Sequence, residues 1–210
     1  MRITASMKEE MMYALSHARG YADIFDLVQR DRERAKRIKE QCIVDDFLDA
    51  RYRGASPFLR VESCEPPLPD CVGIYKAGGK IGFEATELVD PRMVQWHKNA
   101  LNATRWKDYS ADDLFSGVVQ RLARKNHRLQ AAKTAIQEAD VHKVIVIIHC
   151  DEPDLIQRAT FCREVFGSRE FLSFSAIDEA YLLLPCPRKK HLYDEEAEFC
   201  QLVPIPLIKS

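Results

Sequence analysis

The sequence predicts an α/β fold in three layers, a mixed central sheet flanked by helices, with a helical extension at the N-terminal end. Three observations carry this. Residues 143–149, Lys-Val-Ile-Val-Ile-Ile-His, form an unbroken β-branched run of the kind found in strands covered on both faces. Residues 69–75 and 80–89 are two strand-like runs joined through Ala77-Gly78-Gly79, which makes a hairpin. Between and before these runs lie long stretches with helical periodicity, so the order is helix, strands, helix, strand, helix, strands.

The elements follow in order. Residues 7–19 read as a helix, Gly20 as a break, and residues 21–52 as a long second helix. The alternating charges of residues 29–37 suit a solvated helix face better than a nucleic-acid patch. Further along, Ile38, Cys42, Phe47 and Leu48 make an apolar stripe fit to pack on a sheet, with Glu40 beside it. A loop at residues 53–57 precedes a strand at 58–61, and Glu65-Pro66-Pro67-Leu68-Pro69 turns the chain into the hairpin. In the second hairpin strand Lys80, Gly82, Glu84 and Thr86 share one face, and Ile81, Phe83 and Ala85 share the other.

Residues 91–110, with Trp96 and Trp106, read as a loop whose tryptophans either anchor it or stack on bases. A helix over residues 111–139 follows, with Ser110 as its cap and Asp113 in its first turn. From Leu114 to Gln137 it holds no acid, and it carries Arg121, Arg124, Lys125, Arg128 and Lys133. Its buried stripe is Phe115, Val118, Val119, Leu122, Leu129 and Ile136, spoiled by Asn126 and Lys133. Lys125 falls at the stripe's edge, where it reaches over the sheet. Arg121, Arg124 and Arg128 are expected to point outward. After the buried strand, Asp151 and Pro153 open a helix that runs to residue 166, and His149, Cys150 and Asp151 stand at the strand's end, where packing and capping compete with a pocket-lining role. Residues 171–174 and 180–184 read as strands, and 202–207 as an edge strand because of Pro204 and Pro206.

Length and composition set bounds on function. With 210 residues, 46% hydrophobic and 30% charged, the chain suits one core of ordinary size, divided into an extension at 1–36 and an α/β domain at 37–210. No apolar run approaches the ~20 residues of a membrane span, and the first residues lead into a charged helix, so a cytoplasmic protein without a membrane partner is expected. Seven cysteines without a Cys-x-x-Cys pair suggest neither a disulfide framework nor a zinc knuckle. The net charge of −1 leaves nucleic-acid binding to a local basic patch.

Two carboxylates hold the chemical interest. Asp70 opens one hairpin strand and Glu84 lies inside the next, so pairing brings them near one another, where a metal ion can bridge them. Each residue also has a plain alternative: a turn for Asp70, an exposed strand face for Glu84, a solvated helix surface for Lys125 and Glu40, and simple strand preference for Thr86.

Pro69-Asp70, then Ile81-Gly82-Phe83-Glu84-Ala85-Thr86-Glu87-Leu88, a basic helix and a buried strand together resemble the core of the restriction-endonuclease-like nucleases, the PD-(D/E)xK superfamily, and more narrowly small bacterial proteins assigned to it. The resemblance covers about residues 40–166. It implies metal-dependent phosphodiester hydrolysis of nucleic acid, DNA ahead of RNA, with Mg²⁺ or Mn²⁺ held by Asp70 and Glu84. Thr86 stands where the motif has lysine, so Lys125 is the first candidate for that amine and Lys80 the second. Glu40 matches a first-helix acid that some members add to the metal shell, and Arg121, Arg124 and Arg128 are expected to attract the phosphate backbone. A homodimer is compatible with this reading. The competing reading is a catalytically inactive protein of the same fold that binds nucleic acid or a protein partner.

Overall fold

A computed structural model of the chain describes residues 32–89, 108–150, 155, 158–171, 173–184 and 200–208. The expected helix at 7–19, most of the extension at 1–36, both tryptophans and the capping pair Asp151 and Pro153 lie outside these residues. Helix α1 covers Arg32–Tyr52 and leads to strands β1 (Phe58–Ser63), β2 (Cys71–Tyr75) and β3 (Lys80–Glu87). Helices α2 (Ala111–Ala131) and α3 (Lys133–Glu138) connect β3 to β4 (Val141–His149), and α4 (Ala159–Gly167) precedes β5 (Glu179–Leu184) and β6 (Gln201–Ile205). The class is α/β.

All six strands form one open mixed sheet, and their spatial order is their chain order. β1, β2 and β3 are antiparallel neighbours, β3, β4 and β5 run parallel, and β6 returns antiparallel to β5. The β2–β3 turn is tight because Gly78 and Gly79 adopt φ of 91° and 88°, a region in which a side chain would be strained. At the centre, Glu84 lies beside Val146 and Thr86 beside Ile148. A parallel pair needs a long connection, which α2 and α3 lie along.

The alternation expected in β3 sorts its side chains between two cores. Ile81, Phe83 and Ala85 pack with Cys42, Ile43, Phe47 and Leu48 of α1. Leu114, Val118, Leu122 and Leu129 of α2 pack with Val144, Val146 and Ile148 of β4 and with Leu182 of β5. Pro204 sits in β6 opposite Tyr181, at the sheet edge, where its missing N–H leaves no gap in a central ladder. Among the described residues no helix is long and apolar enough to cross a membrane.

Two expected elements change form. The helix expected over 111–139 breaks at Ala132, which has φ −93° and ψ 3°. The break shifts the helical phase, so that Lys133 is exposed while Ile136 stays buried, and Asn126 is accounted for because its Oδ1 accepts from Ala176 N at 2.9 Å. Residues 171–174 form no strand in their described part. Phe171 and Phe174 are buried as loop anchors, with the Phe171 ring 4.8 Å from Phe115 and 5.7 Å from Phe166, centroid to centroid.

Candidate functional site

The pairing of β2 with β3 builds the site. Cys71 lies opposite Phe83, so Asp70, one residue before, stands beside Glu84 and Ala85 at the end of the ladder. Its carboxylate is fixed from there: Oδ2 accepts from the Ala85 N–H at 2.9 Å, and its main-chain oxygen accepts from Cys64 N at 2.9 Å. The preceding Pro69 lies against Gly82, where a methyl group would come within 2.6 Å of the proline Cγ. Only glycine lets the Pro69-Asp70 corner rest so close to β3.

Glu84 has no exposed side-chain surface. Lys125 of α2 donates to its Oε1 at 2.5 Å, and Arg128, one turn further on, donates to its Oε2. The same two bases face Asp70, with Lys125 Nζ 3.6 Å from Oδ2 and Arg128 Nη2 3.9 Å from Oδ1. Burial pushes the Glu84 carboxyl upward, Lys125 pulls it down, Asp70 pushes it up again and Arg128 pulls it down; the net direction is up. Two acids and two bases therefore meet at one place above the sheet, the acids buried and the bases partly exposed.

Glu40 of α1 lies close enough to feel the charges of this group. Its carboxylate lies 3.6 Å from Lys36. Burial first, then Asp70, raises its carboxyl to about 7 against the pull of Lys36 and Lys125.

The other candidate residues fall elsewhere or serve differently. Lys80 stands at the start of β3, roughly 13 Å along the strand from Glu84 at the usual rise per residue, and its Nζ donates to Ala139 O at 2.8 Å. Thr86 is half-buried opposite Ile148, two residues beyond Glu84. Arg121 does not point outward as expected. It is buried, and its guanidinium donates to the carbonyls of Glu87, Gly117 and Val89, tying α2 to the end of β3. Arg128 also turns inward, because Glu84 draws it. Arg124 alone of the three arginines is exposed. His149 and Cys150 are both buried at the end of β4.

Two site features escape a reading of residues one by one. Lys125 and Arg128 are three apart, and side chains at that spacing share a helix face, so a lysine that reaches the sheet implies that the arginine does too. Lys39 of α1 is buried and pairs with Glu87 of β3; neither residue stood out in the sequence. A separate cavity of about 770 Å³, lined in part by His142, Lys143, Phe174, Tyr181 and Ile208, shares no residue with the acid–base group.

No protein-family model, curated protein or solved structure matches the chain. Among the described residues, no group of three or more His, Cys, Asp or Glu side chains is arranged to hold a metal ion. The donor chemistry of Asp70 and Glu84 suits a hard cation nonetheless, since Mg²⁺ is commonly held by one or two carboxylates with water and phosphate oxygens filling the other positions.

Proposed function

We infer that the protein is a metal-dependent phosphodiesterase acting on nucleic acid, DNA ahead of RNA, with a restriction-endonuclease-like core and helices on both faces of its sheet. One observation carries the reading: Lys125 Nζ lies within 4 Å of both the Asp70 and Glu84 carboxylates, so that two acids from paired strands meet one amine from the crossover helix. On this reading the amine missing at Thr86 comes from Lys125 of α2.

Asp70 and Glu84 would hold Mg²⁺ or Mn²⁺. Such an ion, when bound, acidifies water and neutralises charge on a phosphate. The chain's own residues do the rest. The Ala85 N–H keeps Asp70 aimed, burial keeps bulk water from Glu84, and Lys125 stands where it orients a water or donates to a phosphate oxygen.

A second reading is a protein of the same fold that binds nucleic acid or a protein partner without cutting. Thr86 in the lysine position favours it, as does the engagement of both Glu84 oxygens by Lys125 and Arg128. One assay separates the two: end-labelled DNA and RNA incubated with Mg²⁺ or Mn²⁺, with Asp70→Ala and Lys125→Ala beside the wild type. The hydrolase reading expects cleavage that Asp70→Ala abolishes and Lys125→Ala slows at least ~100-fold with affinity retained. Binding without cleavage by the wild type establishes the second reading.

A further inference from the structure

Arg128 uses only part of its guanidinium within the folded chain. Nη2 meets Glu84 Oε2 and lies 3.9 Å from Asp70 Oδ1, whereas Nε is buried and has no hydrogen-bond partner among the described residues. A donor shut away from water without an acceptor is unfavourable, so a ligand oxygen that reached it would be favoured. Lys125 leaves no comparable donor stranded, since an ammonium rotates freely to suit its neighbours. The position of Arg128 matters as well. Its side chain is 35% exposed, against none for Glu84, so Arg128 links the buried carboxylates to the surface.

The acceptor that fits is an oxyanion. Nε–H lies along the same edge of the planar guanidinium as one Nη2 proton, and that edge matches two oxygens of a phosphate. Asp70 and Glu84 sit on the Nη2 side and leave Nε unanswered. To meet a phosphate, this edge would have to turn toward the exposed side of the site by rotation about the outer side-chain torsions. Glu84 then keeps Lys125 as its partner.

We propose that Arg128 is a catalytic residue whose Nε–H grips a non-bridging oxygen of the phosphodiester at the Asp70–Glu84 centre; this rests on the hydrolytic reading above and assigns the group that holds the substrate's reacting phosphate. In the reaction, water adds to phosphorus, one P–O ester bond breaks, and the departing oxygen leaves as a hydroxyl after taking a proton. Arg128 keeps its own proton throughout, because a guanidinium stays charged in proteins. Charge grows on the non-bridging oxygens as water adds, so a donor fixed there acts more on the transition state than on the bound substrate. This role differs from general attraction of the backbone, which Arg124 on the outer surface is free to provide.

The test has an arm that needs no metal. In ¹H–¹⁵N spectra that resolve arginine Nε–H signals, recorded in EDTA, the Arg128 signal is identified by its loss in Arg128→Lys, and dimethyl phosphate is titrated into the wild type. The Arg128 signal is expected to move saturably. In single-turnover cleavage at saturating substrate with Mg²⁺, Arg128→Lys is expected to slow the reaction ~100-fold, since lysine keeps the charge on Glu84 and loses the planar edge. An unchanged thermal midpoint of that variant shows that the ion pair has survived. A stationary Nε–H signal, or a wild-type rate in Arg128→Lys, overturns the proposal and leaves the hydrolytic reading standing. A wild type that cleaves nothing in Mg²⁺ or Mn²⁺ overturns both.

Discussion

Glu84 is the residue on which the site turns. It has no exposed side-chain surface, yet it stands beside another acid, and only Lys125 and Arg128 make that placement tolerable. If Asp70 and Glu84 hold a hard cation, Mg²⁺ or Mn²⁺ at a hundredfold excess over Kd should raise stability by about 2.7 kcal/mol. Glu84→Gln should erase that increment in thermal melts, and equal stabilisation of wild type and variant would dispose of the site. Glu40 offers a second measurement at this scale. Its carboxyl rises from 4.5 to about 7, chiefly through burial and then Asp70, so the fold favours the neutral acid over the carboxylate. The stability this contributes is complete below pH 4.5, declines as pH rises, and is gone above about pH 7. Glu40→Gln, neutral at every pH, should therefore gain on the wild type between pH 4.5 and pH 8 in urea titrations run in EDTA. A difference that stays flat across that range contradicts the burial of Glu40 beside Asp70.

At the scale of elements, the site depends on how closely β3 and the Pro69-Asp70 corner approach. Gly82→Ala would place a methyl group 2.6 Å from the Pro69 Cγ, inside any allowed contact, so the corner must lift. Overpacking of this kind costs roughly 1–3 kcal/mol. The larger effect falls on Asp70, whose carboxylate would lose the Ala85 N–H. Gly82→Ala should bind Mg²⁺ or Mn²⁺ more weakly than the wild type by calorimetry, while its circular dichroism stays that of an α/β protein. Undiminished metal binding would show that the corner has slack. Elements of this kind were largely legible in the sequence. The β-branched run, the Gly-Gly turn and the alternation of β3 are local signals, and they placed Asp70 beside Glu84 correctly. Local signals mislead where tertiary contacts decide. Phe171 has strand character but is buried against rings from α2 and α4, Phe174 is buried with it, and the long helix breaks at Ala132. Arg121 and Arg128 read as surface residues because a helical wheel shows direction and not partners. Carbonyls at the end of β3 claimed the first, and a buried carboxylate claimed the second.

Over the whole molecule the net charge is −1, so attraction for nucleic acid cannot arise from a global excess and must come from cations left free at the surface. The two inward-turned arginines change which residues these are. Arg121 belongs to the fold: its removal leaves the carbonyls of Glu87 and Val89 without their donor and frees α2 from the end of β3. Arg121→Ala should cost about 2–4 kcal/mol in denaturant titrations, as expected when a buried charged hydrogen-bond network is cut. Arg124, exposed on the same helix, should behave in the opposite way. Arg124→Ala should leave stability within about 0.5 kcal/mol of the wild type, weaken nucleic-acid binding across sequences, and reduce the slope of log K against log salt by about 1 for each lost phosphate contact. The pair of variants makes the outcome decisive. If Arg124→Ala leaves affinity and salt slope untouched while the wild type still binds, the phosphate track does not run along the outer face of α2. If Arg121→Ala keeps full stability but loses binding, the guanidinium does not stay with its carbonyls, and the tie between α2 and the end of β3 is not what holds the crossover helix over the sheet.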